Sequence, residues 1–392
     1  MAPIVVVRGE GVTAVDGDKS AMYVISRNAL ASYRTLDGSR RWTVPVAAGA
    51  QLLEVDDTRV VIGVDDPSSR ARSIVLGLDA VTGAQVWQQT SYVPALSGCA
   101  CADGVVVVER YPPDGDPEQE RQRSTPDLAG IDVRTGAVRW SLVTPPESRR
   151  NFPLIQPDRV QIIVLDPDGS LLVHSAETGE VVQTVHLESP RPVAGLARNR
   201  NRLLTYESGL GSMVNGRVFD LATGRMLWGR TTAPSGESLW WCGRALCAQE
   251  QHGPIVVLDP DTGHEQWHLD GWKSLSGVGD QYLLATPSTP GGVNLVLDAA
   301  SGRIVRRIDG WQPIGTRSGT RLLVSRDDGA SSLVARLDVK TGGVTVLGRS
   351  AGRASPQACV FVSTWLACQT DQDRVSVWPV AAAWGDIIAD PP

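Results

Sequence analysis

The chain has 392 residues, a hydrophobic content of 42% and a formal net charge of −6 at pH 7, which predict a mildly acidic globular protein with a sizeable core. This charge leaves no basic face for nucleic acid or anionic lipid, so neither is expected as a partner. No run of 18 or more apolar residues occurs, so no membrane-spanning helix is predicted. Lysine is rare (Lys19, Lys273 and Lys340), and the abundance of Ala, Gly, Val and Arg suggests a bacterium with a GC-rich genome.

A repeated pattern organises the chain. Each copy has an apolar strand, an Asp-x-x-Thr-Gly turn and a second strand with Trp four residues after the Gly. The clear copies are Asp79–Trp87, Asp132–Trp140, Asp220–Trp228 and Asp259–Trp267. Degenerate copies have their turn at Gly38, Gly179, Gly302 and Gly342, with Gln183, Arg306 and Val346 at the Trp position of the last three. The eight glycines are 39 to 53 residues apart, which indicates one supersecondary unit per repeat.

Each unit divides into four short strands without helical periodicity. In the second unit we predict strands at Gln51–Val55, Arg59–Val64, Ser73–Leu78 and Gln85–Thr90. The Gly of the turn between the third and fourth strands is expected to have positive φ, and the Asp is expected to cap that turn. Four-stranded antiparallel units repeated in this way predict an all-β propeller, formed as a single domain by residues 1–392.

The third unit departs from the pattern by an insertion at residues 109–128. The segment contains the polar run Pro112-Pro113-Asp114-Gly115-Asp116-Pro117-Glu118-Gln119-Glu120. Such a composition does not favour a packed strand, so we predict a loop on one face of the third blade.

The two ends of the chain are predicted to close the ring. Three strands, Cys359–Ser363, Leu366–Thr370 and Val375–Trp378, follow the last Gly turn and lack a fourth partner, whereas the apolar strand Ile4–Arg8 precedes the first unit. The N-terminal strand is therefore expected to complete the last blade. Eight Gly turns and this composite blade give a literal count of nine, but known propellers usually have four to eight blades, so we favour eight.

Six cysteines occur as three local pairs: Cys99 with Cys101, Cys242 with Cys247, and Cys359 with Cys368. The last two pairs occupy matching places in their repeats, which favours cross-strand disulfides and an oxidising compartment. Buried free thiols or a metal site are the alternatives, but zinc-type spacing is absent. His264 and His268 share a strand face without an evident third ligand, so no metal site is predicted.

The start of the chain, Met1-Ala2-Pro3-Ile4, lacks the charged and apolar regions of a secretory signal. Taken alone, this start would indicate the cytoplasm, whereas the cysteine pairs indicate the opposite. We expect an extracytoplasmic domain, either secreted or at the outer face of a membrane, whose signal or anchor lies outside the numbered chain.

The Asp-x-x-Thr-Gly-x-x-x-Trp frame at Asp79, Asp132, Asp220 and Asp259 resembles the repeat of pyrroloquinoline-quinone-type propellers. That superfamily includes quinoprotein alcohol dehydrogenases and cofactor-free scaffolds such as the lipoprotein of the outer-membrane assembly machinery. For the enzymes, the resemblance implies a quinone held between a Trp and a disulfide of adjacent cysteines, a calcium ion held by Glu and Asn, and an Asp base.

This sequence departs from the enzyme pattern because it has no Cys-Cys dipeptide, and Cys99-Ala100-Cys101 is one residue too wide. The chain is also shorter than those enzymes are expected to be. Pyrroloquinoline quinone and calcium are therefore not favoured, and the non-catalytic members are the closer match. A quinone-dependent dehydrogenase, or another enzyme using the central funnel, remains the alternative.

Four tryptophans are candidates for a binding surface. Trp272 and Trp311 each lie nine residues after their turn Gly, and Trp240 and Trp241 open the first strand of the sixth unit. Aromatic side chains on one rim form a platform for a partner protein or a cell-envelope polymer, whereas packing between blades is the alternative. We hypothesise that at least Trp272 and Trp311 are partly exposed on one face. The sequence thus predicts a non-enzymatic, monomeric binding scaffold.

Overall fold

The fold is described by a computed structural model. It covers residues 5–8, 14–17, 20–26, 28–35, 37–65, 73–94, 101–102, 104–110, 127–143, 149–156, 159–188, 195–209, 212–231, 237–250, 253–289, 291–318, 321–350, 352, 359–362, 365–369 and 374–379. Within these ranges lie 36 β-strands and no helix, and all of the paired strands are antiparallel. Accordingly, the described residues contain no helix long and apolar enough to cross a membrane.

Groups of four strands form the blades. The first blade contains β2 (Ala14–Gly17), β3 (Ala21–Ser26), β4 (Ala29–Arg34) and β5 (Arg40–Pro45), and the second contains β6 (Gln51–Val55), β7 (Arg59–Asp65), β8 (Ser73–Asp79) and β9 (Gln85–Pro94). The third blade contains β10 (Cys101–Ala102), β11 (Val105–Arg110), β12 (Asp127–Asp132) and β13 (Val138–Leu142). The fourth contains β14 (Arg149–Gln156), β15 (Arg159–Leu165), β16 (Ser170–Ser175) and β17 (Val181–His186). The fifth blade contains β18 (Gly195–Asn199), β19 (Arg202–Gly209), β20 (Ser212–Asp220) and β21 (Met226–Thr231), and the sixth contains β22 (Glu237–Cys242), β23 (Ala245–Glu250), β24 (Ile255–Leu258) and β25 (Glu265–Leu269). The seventh blade contains β26 (Trp272–Val278), β27 (Tyr282–Pro287), β28 (Asn294–Asp298) and β29 (Ile304–Ile308). The eighth contains β30 (Gln312–Ser318), β31 (Arg321–Asp328), β32 (Ser331–Asp338) and β33 (Val344–Arg349).

A further four-stranded sheet combines both ends of the chain. It contains β34 (Cys359–Val362), β35 (Trp365–Gln369), β36 (Arg374–Pro379) and β1 (Val5–Arg8), with β1 paired to β36. β34 contacts β2, so this composite sheet meets the first blade. The predicted all-β propeller of four-stranded antiparallel blades is confirmed, and so is its closure by the terminal strands. Each of eight blades consists of four strands that follow one another in the sequence. The composite sheet is the further unit that, together with the eight Gly turns, gave the literal count of nine.

The first strand of each blade lies next to the first strand of its neighbour, as in the contacts of β14 with β18 and of β22 with β26. Because strand direction alternates, the connections from second to third strand and from one blade to the next lie on one face of the ring, which we call the connection face. The turns from first to second and from third to fourth strand lie on the opposite face, the turn face. The predicted insertion joins β11 to β12, and its residues 111–126 lie outside the described residues.

Tryptophan side chains fasten neighbouring blades to each other. Among the described residues, five indole rings lie against the turn Gly of the next blade and donate their N–H to the carbonyl of the residue three positions before that Gly. The donors and acceptors are Trp42 and Ala80 (3.0 Å), Trp87 and Val133 (2.9 Å), Trp140 and Ala176 (3.2 Å), Trp228 and Pro260 (2.9 Å), and Trp267 and Ala299 (3.1 Å). Buried N–H groups need such acceptors.

Two degenerate repeats keep this contact with other residue types. The side-chain amide of Gln183 donates to the carbonyl of Leu221 at 3.1 Å. The Arg306 guanidinium lies where a Cβ on Gly342 would come within 2.8 Å of its Cζ, and it donates to the carbonyl of Lys340 at 3.4 Å. Both side chains donate an N–H to the next blade, but only the Arg306 guanidinium also lies against the turn Gly; at Gly224 a Cβ would meet the His186 carbonyl and Val185 instead.

The Asp-x-x-Thr-Gly turn has the predicted geometry. The glycines of all eight turns have φ between 68° and 77°. In the clear repeat at Asp79, one carboxylate oxygen accepts hydrogen bonds from the backbone N–H and the hydroxyl of Thr82, each at 2.8 Å. The Asp therefore caps the turn and the Gly supplies its left-handed residue, as the sequence predicts.

One of these turn carboxylates is bound more strongly than the others. Burial by itself would raise the pKa of Asp132, but hydrogen bonds from Arg139 at 2.6 and 2.9 Å and from Thr135 at 2.7 and 2.8 Å lower that pKa to about 2. Because the folded-state pKa lies below its ordinary value of 3.8, the ionised carboxylate stabilises the fold above about pH 4. This contribution is lost as the pH falls towards 2.

We expect Asp132→Asn to lower the free energy of unfolding by about 2 kcal/mol at pH 7, since a shift of one pKa unit corresponds to about 1.4 kcal/mol. The difference from the unmodified protein should shrink as the pH falls from 4 to 2, as measured by urea unfolding at several pH values. Asp298→Asn is the matched control, because Asp298 caps its turn through Ser301 without an arginine hydrogen bond. Equal losses at the two sites would contradict the role of Arg139.

Two of the three predicted disulfides are present. Cys242 is bonded to Cys247, and Cys359 is bonded to Cys368. Each bond joins the first and second strands of its blade. Cys359 and Cys368 are directly opposite in the strand register, with Cα atoms 4.0 Å apart. Cys247 is opposite Trp240 rather than Cys242, so that bond is diagonal, with Cα atoms 5.8 Å apart. Cys99 and the side chain of Cys101 lie outside the described residues.

Candidate binding surface

Trp240 and Trp241 bridge the first strands of three blades. They are consecutive residues of β22, so their side chains point to opposite sides of the sheet. The Trp240 indole N–H donates to the carbonyl of Leu275 on β26 at 3.0 Å, and that of Trp241 donates to the carbonyl of Ala197 on β18 at 3.1 Å. This geometry is that of inter-blade packing, the alternative that the sequence left open for these two residues.

Trp272 and Trp311 have equivalent positions on the connection face. Trp272 is the first residue of β26, and Trp311 directly precedes β30, so each lies where one blade passes to the next. Both side chains are partly exposed, and each also packs on the apolar cluster of its blade junction. The placement agrees with the hypothesis of part-exposed rim tryptophans, while their role in binding stays a prediction.

The indole N–H groups distinguish these two residues from most of the packing tryptophans, although the fully buried Trp378 also lacks an acceptor among the described residues. Seven tryptophans in the described part of the chain, the five at the turn glycines together with Trp240 and Trp241, donate to a backbone carbonyl of another blade. Across the same described residues, neither Trp272 nor Trp311 has an acceptor for its N–H. Each indole N–H therefore lies beside an apolar cluster without an acceptor in the described part of the chain.

An arginine extends the surface at Trp311. Arg326 on β31 is exposed, and its guanidinium carbon lies 4.7 Å from the centroid of the Trp311 ring. This distance is that of a cation–π contact. No sequence pattern pointed to this residue, because Arg326 lies 15 positions from Trp311 and comes close only through the pairing of β30 with β31.

A polar pair lies beside the same junction. Asn294, which is 2% exposed, donates its side-chain N–H to the side-chain oxygen of Gln312 at 3.1 Å, joining β28 to β30. On the neighbouring junction the Gln249 amide donates to the backbone carbonyl of Gly253 at 3.1 Å, and its distance to the carbonyl of Trp272 is 3.4 Å. These amide hydrogen bonds hold the blade-to-blade connections in place, so they fix the position of the backbone at Trp272 and Trp311.

No cluster of metal-ligating side chains is assembled in the part that the structure describes. No group of three or more His, Cys, Asp or Glu side chains there is placed to hold a metal ion. His268 is hydrogen-bonded to Glu265 at 2.8 Å, and this contact raises the pKa of the exposed imidazole. The disulfides present are formed by cysteines five and nine residues apart rather than by adjacent cysteines, so they differ from the disulfide that the quinoprotein enzymes would require.

The fold and repeat define a propeller with the pyrroloquinoline-quinone type of blade. Residues 71–241 match a family model described as outer membrane protein assembly factor BamB. The resemblance inferred from the sequence is thereby confirmed, and the matching family description is that of the BamB-like members.

Comparison with whole proteins gives distant similarities. No curated protein matches the chain. Among solved structures, BamB from Moraxella catarrhalis is 18% identical over 96% of this chain and 99% of that chain, with a TM-score of 0.47. The computationally designed Ika8 protein is 16% identical over 97% and 100%, with a TM-score of 0.45. A eukaryotic initiation factor is 10% identical over 97% and 88%, with a TM-score of 0.48.

Proposed function

We propose that this chain is a non-enzymatic, extracytoplasmic propeller that binds a partner protein or a cell-envelope polymer on its connection face. The observation that carries the proposal is the pair of equivalent, partly exposed tryptophans, Trp272 and Trp311, whose indole N–H groups have no acceptor among the described residues. The match of residues 71–241 to a family described as an outer membrane assembly factor supports a binding role in the cell envelope. No cofactor is required for such a role.

The disulfides support the compartment. Cys242–Cys247 and Cys359–Cys368 are buried within inter-blade clusters, and disulfides of this kind form and persist in oxidising environments. We further propose that the protein is monomeric, since its terminal strands close the ring within one chain.

Thiol counting tests the compartment directly. In protein isolated without reductant and denatured with an alkylating reagent, we expect no more than two alkylated cysteines, because four of the six form disulfides. Mass spectrometry of the intact chain before and after reduction measures the number. Reduced protein serves as the control and should show all six. Six alkylated thiols without reduction would contradict the extracytoplasmic assignment.

Site-specific photo-crosslinking tests the surface. A photoreactive amino acid at Asp309 or Asp270, each exposed and two residues before a rim tryptophan, should give crosslinked products in intact cells of the source bacterium. The same amino acid at Val81, which is 60% exposed on the turn face, is the matched control. Mass spectrometry then shows whether the product is a protein or a polymer.

The double variant Trp272→Ala/Trp311→Ala should abolish the products obtained from Asp309 while leaving the far-ultraviolet circular dichroism unchanged. Equal products from Asp309 and Val81, or products that survive the double variant, would show that the rim tryptophans are not the binding surface.

A further inference from the structure

Arg326 is a cation without a counterion in the described structure. Its contact there is the Trp311 ring, with 4.7 Å from the guanidinium carbon to the ring centroid, and no carboxylate of the described residues pairs with it. The side chain is exposed near the end of β31, on the connection face. Other exposed arginines, among them Arg134 and Arg225, also lack a carboxylate partner in the described part of the chain. Arg326 differs from them because its guanidinium is stacked on an indole ring.

The acidic groups nearest in the chain have other partners. Asp328 pairs with Arg349, and Asp327 accepts a hydrogen bond from the Ser332 hydroxyl at 3.1 Å. Asp309 lies 3.8 Å from the side chain of Arg307. The chain between β33 and β34, residues 351–358, contains no Asp or Glu. Among the described residues, no carboxylate therefore forms an ion pair with Arg326.

The contact with Trp311 also fixes the guanidinium in advance. An arginine side chain normally loses rotamer entropy when it is immobilised, and stacking on an aromatic ring reduces the part that is lost on binding. A planar guanidinium presents parallel N–H donors that match the two oxygens of a carboxylate. The free indole N–H of Trp311 belongs to the same contact pair and is a further donor.

We propose that Trp311 and Arg326 form an anchor for a carboxylate of an acidic segment of a partner protein. This inference rests on the proposed binding function and names the chemistry that the surface recognises. A neutral sugar polymer is less suited to this anchor, because Arg326 covers one face of the Trp311 ring and the ring also packs on the cluster formed by Leu322, Val324 and their neighbours. The groups left for a ligand are hydrogen-bond donors and a positive charge, which favour an anion.

Selection from a random peptide library tests the ligand class without knowledge of the natural partner. Phage displaying twelve-residue peptides are selected on the whole protein, and peptides that also bind the Trp311→Ala variant are removed. We expect the remaining sequences to be rich in Asp and Glu. Synthetic copies are then compared by fluorescence polarisation with matched copies in which Asp and Glu are replaced by Asn and Gln, and these should bind about tenfold more weakly, or about 1.4 kcal/mol.

Arg326→Gln should lower the affinity for the selected acidic peptides by about tenfold, and Arg326→Lys should restore only part of it because the planar fork is lost. Arg307→Gln is the matched control, since it removes the same charge from an exposed arginine of the neighbouring blade. It should change the affinity less than about twofold at physiological salt.

Several outcomes would overturn the proposal: a library that yields no peptides, peptides without acidic enrichment, or equal affinity for the Arg326→Gln variant. The result is separable from that of the crosslinking experiment. If Asp309 gives protein crosslinks but the selected peptides are not rich in Asp and Glu, the scaffold function is supported and the carboxylate anchor is contradicted. Crosslinks to a glycan would remove the anchor and favour the polymer, whereas absence of both results would remove the scaffold function itself.

Discussion

Replacing Trp87 by alanine is expected to lower the free energy of unfolding by about 3–5 kcal/mol, the range for deleting a buried aromatic side chain. The Trp87 ring is 9% exposed and fills the space between Gly77 of its own blade and Gly136 of the next. Its N–H also donates to the carbonyl of Val133 at 2.9 Å. Alanine would leave a cavity between two blades and would remove the hydrogen-bond donor from a buried carbonyl.

Urea unfolding followed by circular dichroism and by tryptophan fluorescence measures the loss of free energy. Coincident transitions by the two probes establish that unfolding is two-state, so the free energies of the variants can be compared. The control is Trp311→Ala, which removes an equally large side chain that is partly exposed and has no internal acceptor among the described residues. We expect this variant to cost about 1–2 kcal/mol, less than Trp87→Ala, because the Trp311 ring is only partly buried against its cluster. A cost as large as that of Trp87→Ala would make Trp311 a packing residue and would weaken the proposed surface.

The blade and its turn were predictable because they depend on local chemistry. A hairpin that needs a left-handed residue favours Gly, and a preceding Asp with Thr three positions later can satisfy the backbone of the turn by itself. Gly83 with φ of 75° and the Asp79 carboxylate on Thr82 show both effects. Closure of the ring by β1 was also predictable, since the strands after Gly342 leave one place for the N-terminal strand.

Equivalence of residue types was harder to predict. In the sequence, Gln183 and Arg306 interrupt the tryptophan pattern, but in the structure both donate an N–H to a carbonyl of the next blade. A comparison of repeats by residue identity does not recognise that different side chains can have the same shape and the same hydrogen-bond donor. At this position between blades, a planar group with an N–H donor is what is shared. The amide of Gln183 keeps the hydrogen bond to the next blade, and the guanidinium of Arg306 keeps both that hydrogen bond and the contact with the turn Gly.

The candidate surface was only partly predictable. The spacing of Trp272 and Trp311 from their turn glycines placed them at equivalent junctions. The packing of Trp240 and Trp241 depends on acceptors at Leu275 and Ala197, which are 35 and 44 residues away. A sequence does not fix which side of a strand meets which neighbour. The position of Arg326 beside Trp311 depends on the register of β30 with β31, which also has no local signal.

Gly136→Ala is expected to be the other strongly destabilising substitution, with a loss of about 3 kcal/mol or more from overpacking together with backbone strain. Gly136 has φ of 74°, and a Cβ there would lie 2.6 Å from Cδ2 and 2.9 Å from Cβ of Trp87. The indole is held by its own hydrogen bond and cannot move away without losing it. Gly329→Ala is the matched control, because Gly329 has φ of 67° and no atom lies within 4 Å of the place that a Cβ would take. It should cost only the left-handed strain, about 1–2 kcal/mol.

A double-mutant cycle separates the two causes at Gly136. In the Trp87→Ala background the contacts with the ring are absent and only the contact with Cβ of residue 87, at 2.9 Å, remains. Gly136→Ala should therefore cost about 1–3 kcal/mol less there than in the unmodified protein. The free energies of unfolding of the single and double variants, measured in urea, give the coupling between the two positions. A coupling near zero would mean that the ring does not press on the turn. The five indole–glycine contacts would then reflect proximity without stabilising the packing of neighbouring blades. A coupling of about 1–3 kcal/mol would instead show that the Trp87 ring holds its blade against the turn of the next blade.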